Sequence, residues 1–254
     1  MRTRIPDWFT KLAIFVGRSK TLKLLFRPYY DWLIRSTKSR RNAQFRKRGK
    51  IVLQCFDECM TKNGYIYTLA FGSMLGAVRE HGFIKHDIDM DVALWAEDYT
   101  PELQKHLEEY GFHLKHVLLV NNGSYGREET YEKDGVTIDI FYIYPPEAAQ
   151  LSPAIFEPYC CDFLSCKGAI SFEDSMSKYG KVETRRCQLP WTKEVKRVNF
   201  EGMKLPICIN AIELMIICYG DNYMIPNEKW SGKDELSRSY IYNWPNVVAK
   251  YFKQ

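Results

Sequence analysis

Three aspartates, Asp87, Asp89 and Asp91, alternate with apolar residues in His86-Asp87-Ile88-Asp89-Met90-Asp91-Val92. Successive side chains of a strand face opposite sides, so the three carboxylates share one face while Ile88, Met90 and Val92 point into a core. Three neighbouring like charges repel, and a divalent cation between them removes the repulsion. A further acid, Asp139, interrupts the apolar run Val136-Thr137-Ile138-Asp139-Ile140-Phe141 and needs a compensating partner. Two strands that bring carboxylates to one site can hold Mg2+ or Mn2+, which favour hard oxygen ligands, for phosphoryl transfer. Asp-x-Asp-x-Asp also opens an EF-hand loop. That loop needs Gly at its sixth position and Glu at its twelfth, where this chain has Val92 and Asp98, so the reading fails.

The elements that must position these residues are legible in outline. Ile51 to Asn63 reads as a helix stopped by Gly64. Tyr65 to Phe71 reads as a strand, and Ser73 to Arg79 as a helix with Ser73 as its cap. Gly72-Ser73 therefore opens a helix, where free N–H groups and a partial positive charge suit a phosphate; an ordinary capped turn is the plain alternative. Arg79 either clamps a phosphate oxygen or sits as a surface residue favoured by the helix dipole. The aspartate strand spans Asp87 to Trp95, a helix Pro101 to Tyr110, and strands His113 to Val120 and Val136 to Tyr144. Asn121 to Asp134, rich in Asn, Gly and charge, reads as a loop, and Pro145 through Cys160-Cys161 as a long irregular stretch. Asn210 to Cys218 is an apolar helix. The sum is a mixed α/β body over residues 50–254.

The net charge of +5 hides an asymmetry. Residues 1–50 carry 15 Lys/Arg against only Asp7 and Asp31, so the rest of the chain is acidic. Aromatics such as Trp8, Phe15, Tyr30 and Trp32 are interleaved with these charges, and Pro6–Arg18 and Leu22–Ile34 can form amphipathic helices. A basic amphipathic arm over residues 1–49 suits an anionic membrane surface or packs on the body; nucleic acid is not expected. No uncharged apolar run is long enough to span a bilayer, and no signal-peptide core is present, so the expected place is the cytoplasm, peripheral on the inner face of the membrane. The eight cysteines form no Cys-x-x-Cys pair and read as reduced thiols. Trp191, Trp230 and Trp244 pack in the protein or stack a sugar or a choline-type cation.

The block Phe71-Gly72-Ser73-Met74-Leu75-Gly76-Ala77-Val78-Arg79-Glu80-His81-Gly82-Phe83-Ile84, running into the aspartate strand, resembles the LicD family of phosphotransferases. So do Thr137-Ile138-Asp139-Ile140-Phe141 and the closing Tyr219-Gly220-Asp221-Asn222-Tyr223-Met224. The family typically has a Pro-Trp pair and a further acid around the aspartates, where this chain has Lys85-His86 and Ile88. The resemblance implies an α/β (α+β) nucleotidyltransferase fold of polymerase beta type, with a mixed sheet flanked by helices. It implies transfer of a phospho-alcohol, with phosphocholine the first expectation and ribitol phosphate the product of fukutin-type relatives. The donor would be CDP-activated, and the acceptor a sugar hydroxyl of a surface polysaccharide, lipopolysaccharide or lipid-linked precursor. Asp89, Asp91 and Asp139 would hold Mg2+ on the donor's diphosphate, and Asp139 could also take the acceptor's proton as general base. Gly72 and Ser73 would meet the donor phosphate and Arg79 would clamp it. Asp87 stays open as a ligand, a support for one or a plain strand-opening charge. The rivals are nucleotidyl transfer to a small molecule or RNA, and a catalytically inactive glycan-binding member.

Overall fold

A computed structural model describes residues 27–85, 87–146, 157–169, 171–227, 241–243 and 248–254. The helix expected over Pro6–Arg18, His86, Trp230 and Trp244 lie outside these residues. In chain order the main elements are helix α1 (Arg27–Lys62), β1 (Thr68–Leu69), α2 (Phe71–Arg79), β2 (Asp89–Trp95), α3 (Glu102–Glu109), β3 (His113–Val120), β4 (Gly126–Lys133), β5 (Val136–Ile143), β6 (Tyr159–Leu164), α4 (Phe172–Tyr179), β7 (Glu183–Gln188), β8 (Val195–Phe200), β9 (Met203–Cys208), α5 (Ala211–Tyr219), β10 (Ile241–Asn243) and β11 (Ala249–Lys253).

The central sheet has six strands in the order β1-β2-β5-β4-β3-β11. Among the described residues of this sheet only β2 and β5 run parallel, and every other pair is antiparallel. The sheet is therefore mixed and flanked by helices, in keeping with the expected fold. Met90, Val92, Leu94, Ile138, Ile140 and Tyr142 are fully buried on one of its faces. Phe56 of α1 meets Phe112, and the Lys133 ammonium of β4 lies over the same Phe112 ring, so α1 covers that face. The opposite face carries the alternating acids. A smaller sheet, β10-β7-β6, packs beside β4 and β5, joined by the Tyr144–Tyr159 bridge.

Three local readings change. The segment expected as a loop over Asn121–Asp134 contains β4, whose charges hide a strand paired on both edges. Its signal was Asp134-Gly135: both residues have positive φ, at 54° and 76°, as a tight hairpin turn between right-twisted strands requires. The stretch through Cys160-Cys161 is strand β6, paired with β7, and all eight cysteines are free thiols. Helix α2 starts two residues before Ser73, with Ala70 as its cap and no side-chain cap bond. Gly76 in this helix has a packing reason, since a Cβ there would lie 2.4 Å from the Gly82 carbonyl oxygen.

The helix expected over Ile51–Asn63 is the end of α1, which passes through residue 49 without a break. Phe45 is 1% exposed and packs edge-on against Phe83 at 4.7 Å. The Asn42 amide donates to the Asp87 and Lys85 carbonyls at 2.9 and 3.1 Å. Residues 42–45 are thus part of the body's packing. Phe45→Ala is expected to destabilise the protein by ~3 kcal/mol through the cavity it opens, measured by urea unfolding. A freely solvated arm would give a loss near zero.

Candidate active site

Strand register brings the acids together. β2 and β5 pair Asp89 with Thr137 and Asp91 with Asp139. β4 pairs Thr130 with Asp139 and Glu128 with Phe141, and β3 pairs His116 with Thr130. Residues paired across strands share a face, so Asp91, Asp139, Thr130 and His116 form one row. Asp89 lies one step before the row and Glu128 one step after it.

Helix α2 begins on this face. The Gly72 N–H donates to the Asp91 carboxylate, and the Asp91 N–H donates to Ser73 Oγ at 2.9 Å. The partial positive charge of the helix end thus bears on Asp91. The helix opens on Phe71, a non-glycine residue at φ 40°. Phe71 packs edge-on against Phe141 at 4.9 Å and Trp191 at 5.9 Å, an aromatic group beside the acids. The buried Trp191 Nε1 has no hydrogen-bond partner among the described residues.

Asp87 precedes the strand and closes a turn. Its N–H donates to the Ile84 carbonyl at 3.0 Å, and its Oδ2 accepts the Ile84 N–H at 2.9 Å. Arg79 is neither exposed nor at a free helix end. Its Nη1 donates to the Tyr223 carbonyl at 3.2 Å and its Nε pairs with Glu80 at 2.9 Å, tying α2 to the Tyr219–Met224 segment. Its positive charge is felt at Asp87 and Tyr219.

Electrostatics set this cluster apart. Burial, then the charges of Asp89, Asp139 and Asp87, push the Asp91 carboxyl well above the usual carboxylate range. Burial pushes Asp139 up to about 6, opposed by the Thr130 hydrogen bond, and Asp87 up to about 7, opposed by the Ile84 N–H. Asp89 is raised by burial and opposed by Arg41, whose guanidinium stands 3.9 Å away.

Glu128 escapes the sequence reading because it sits among charges in a segment that reads as a loop. Burial and the charges of Asp139, Asp162 and Asp91 push its carboxyl far up. Its chain neighbour Glu129 faces the other side and is fully engaged, with Arg127 at 2.6 Å and the Tyr131 and Tyr142 hydroxyls at 3.1 Å. Adjacent glutamates on one strand thus have opposite environments. No alternation in Glu128-Glu129-Thr130 marks it, and the nearby Asp134-Gly135 turn is the one local sign that a strand precedes.

Poorly compensated carboxylates on one face are what a divalent cation requires. Among the described residues no three His, Cys, Asp or Glu side chains are placed to hold an ion unaided. Mg2+ is commonly held by one or two carboxylates with the substrate's phosphates and waters filling the remainder. The acids present fit a cation shared with a phosphate ligand, with Asp89 the more open and Asp91 the deeper of the pair on β2.

A family described as LicD/FKTN/FKRP, nucleotidyltransferase domain, matches residues 64–207, from the end of α1 to β9. The chain belongs to that family. Ribitol-5-phosphate transferase FKTN of Mus musculus is 26% identical over 219 residues, covering 82% of this chain and 41% of the relative. The same-named Homo sapiens protein is 24% identical over 246 residues, covering 92% of this chain and 46% of the relative. The chain thus spans less than half the length of these relatives. An uncharacterized Caenorhabditis elegans protein is 34% identical over 112 residues, covering 42% of this chain and 29% of that protein. The LicD/FKTN/FKRP match holds every acid of the row, whereas residues 1–63, with all of α1 and its basic charge, lie outside it.

Proposed function

We propose that this LicD/FKTN/FKRP member transfers a phospho-alcohol from a CDP-activated donor to a sugar hydroxyl of a glycan or its lipid-linked precursor. The observation that carries this reading is the row of poorly compensated carboxylates on β2 and β5, met by the N-terminus of α2. The acceptor oxygen attacks the phosphorus that bears the alcohol. A P–O bond forms, the bond to CMP breaks, and CMP leaves with the electron pair. The acceptor's proton goes to the Asp139 carboxylate as general base. Mg2+ or Mn2+ held by Asp89, Asp91 and Asp139 together with the donor's phosphates would neutralise the diphosphate. The first turn of α2 at Gly72 and Ser73, and the Arg79 charge, are the proposed phosphate contacts, with Asp87 supporting the loop before the strand.

Two alcohols are in play. The aromatic group Phe71, Phe141 and Trp191 could face a choline cation. The names of the FKTN relatives favour ribitol phosphate over the phosphocholine first expected. The test is CMP release by purified protein with Mg2+, a glycan extract and CDP-ribitol, CDP-choline or CDP-glycerol in parallel. CMP from one donor fixes reaction and alcohol together. Pyrophosphate release from a nucleoside triphosphate with a nucleotidylated acceptor would replace this reading by nucleotidyl transfer.

The basic arm is proposed to seat the protein on the cytoplasmic, anionic face of a membrane. Among the described residues no helix is long and apolar enough to cross one. Co-sedimentation with phosphatidylserine-containing vesicles is expected to fall at least tenfold when residues 1–26 are removed, and to weaken with salt. Equal binding of both forms would remove the arm's role.

A further inference from the structure

The acid row continues past its carboxylates. Thr130 is 6% exposed, and its hydroxyl donates to Asp139 Oδ1 at 2.6 Å while lying 2.9 Å from His116 Nε2. A threonine hydroxyl has one proton. Donated to Asp139, that proton is not available to His116, so His116 must donate its Nε2 proton to Thr130. The hydroxyl is held from both sides. One oxygen of Asp139 is thereby occupied, and Oδ2 is left for the site.

The backbone is bent to make this contact. The β3–β4 register shifts between Leu114 and His116, so His116, not Lys115, stands opposite Thr130. Bulges of this kind re-aim side chains and recur beside active sites. The imidazole ring also lies 5.3 Å from the ring of Tyr251 on β11, whose hydroxyl donates to Glu173 Oε1 at 3.1 Å.

We propose that His116 and Thr130 are positioning residues that aim Asp139 at the reacting centre across three strands. This inference rests on the reading of Asp139 as a site carboxylate. Partners of this kind, one bond removed from a ligand, are worth about 10–100-fold in metal affinity or activity.

The test uses full-length protein with Thr130→Val, Thr130→Ser and His116→Phe. Thr130→Val keeps the β-branched shape and loses the hydroxyl. It is expected to lower kcat for CMP release by about 10–100-fold with the donor KM little changed, and Thr130→Ser is expected to restore most of it. Mn2+ binding by EPR titration, which needs no turnover, is expected to weaken similarly in Thr130→Val and His116→Phe. The 15N spectrum of the wild type should show the His116 proton on Nε2. A wild-type imidazole protonated on Nδ1 alone overturns the proposal. So does a Thr130→Val protein with wild-type kcat and Mn2+ affinity, or a loss that Thr130→Ser shares equally. Absence of CMP release from the wild type would remove the phospho-alcohol reading, and the Mn2+ and 15N measurements would still decide this one.

Discussion

Asp91→Asn is expected to abolish transfer while making the metal-free protein more stable. Asp91 faces Asp89, Asp139 and Asp87, and its ionised form is disfavoured by burial and by all three. Asparagine is nearly the same size and still accepts the Gly72 N–H, but carries no charge. Removing one of several crowded charges relieves repulsion, so Tm at pH 7.5 without metal should rise by about 2–4 °C, on the order of 1 kcal/mol. CMP release should fall by ~100–1,000-fold, the scale of a lost charge contact to a transition state. Asp89→Asn should lose activity similarly, with a smaller gain in stability, because Asp89 is more open and already faces Arg41. Stability lost by Asp91→Asn would mean the carboxylate serves the fold and not the reaction. Differential scanning fluorimetry beside the CMP assay gives both numbers from one preparation.

The second large effect is a dependence on pH that metal reverses. A carboxyl whose pKa is higher in the folded than in the unfolded protein holds its proton longer when folded, so its contribution is complete below the unfolded value, near 4, and is lost as pH rises through the folded value. For Asp139 and Asp87 the folded values are about 6 and about 7. The metal-free protein should therefore lose stability between about pH 4 and pH 7 from these groups, and its Tm should fall by about 5 °C more than that of Asp139→Asn, which lacks the Asp139 share. A divalent cation binds the ionised form, so its effect has the opposite slope. Saturating Mn2+ should raise Tm little at pH 5 and by several degrees at pH 7.5, as binding at about 100 times Kd contributes roughly 2.7 kcal/mol. An Mn2+ shift that is the same at both pH values, or absent, would show that the ion does not bind at these acids.

The parts of this molecule legible in the sequence are those in which one periodicity has one meaning. Asp89, Met90, Asp91 and Val92 alternate acid with apolar, and an apolar residue buried beside a polar one is consistent only with a strand that has one face in the core. Asp139 is legible for the same reason. Glu128, Thr130 and His116 are not, because β4 is polar on both faces and its strand character comes from pairing with β3 and β5 rather than from its own composition. His116 is further hidden by the register shift, which no local pattern announces. Ser73 does stand near the start of a helix, but its hydroxyl bonds the neighbouring strand instead of capping its own helix. For Arg79 the sequence leaves a phosphate clamp and a surface charge as alternatives, and its bond to the Tyr223 carbonyl lies 144 residues away in sequence. The change of charge near residue 50 suggests a boundary between arm and body, whereas α1 runs on through it and Phe45 packs within the body.

On that membrane reading the unbroken course of α1 would act as a ruler. Asn42 is bonded to the loop that precedes the aspartates, and the described helix extends from there back to Arg27. At ~1.5 Å per residue that is a rigid stalk of roughly 20 Å. With the basic end of the stalk seated on lipid, the acids would be held at a set height, and the sugar reached would be chosen by its distance from the bilayer as much as by its identity. Removing whole turns between Arg27 and Arg40 would then shift the modified position along a lipid-linked glycan by a predictable number of sugars.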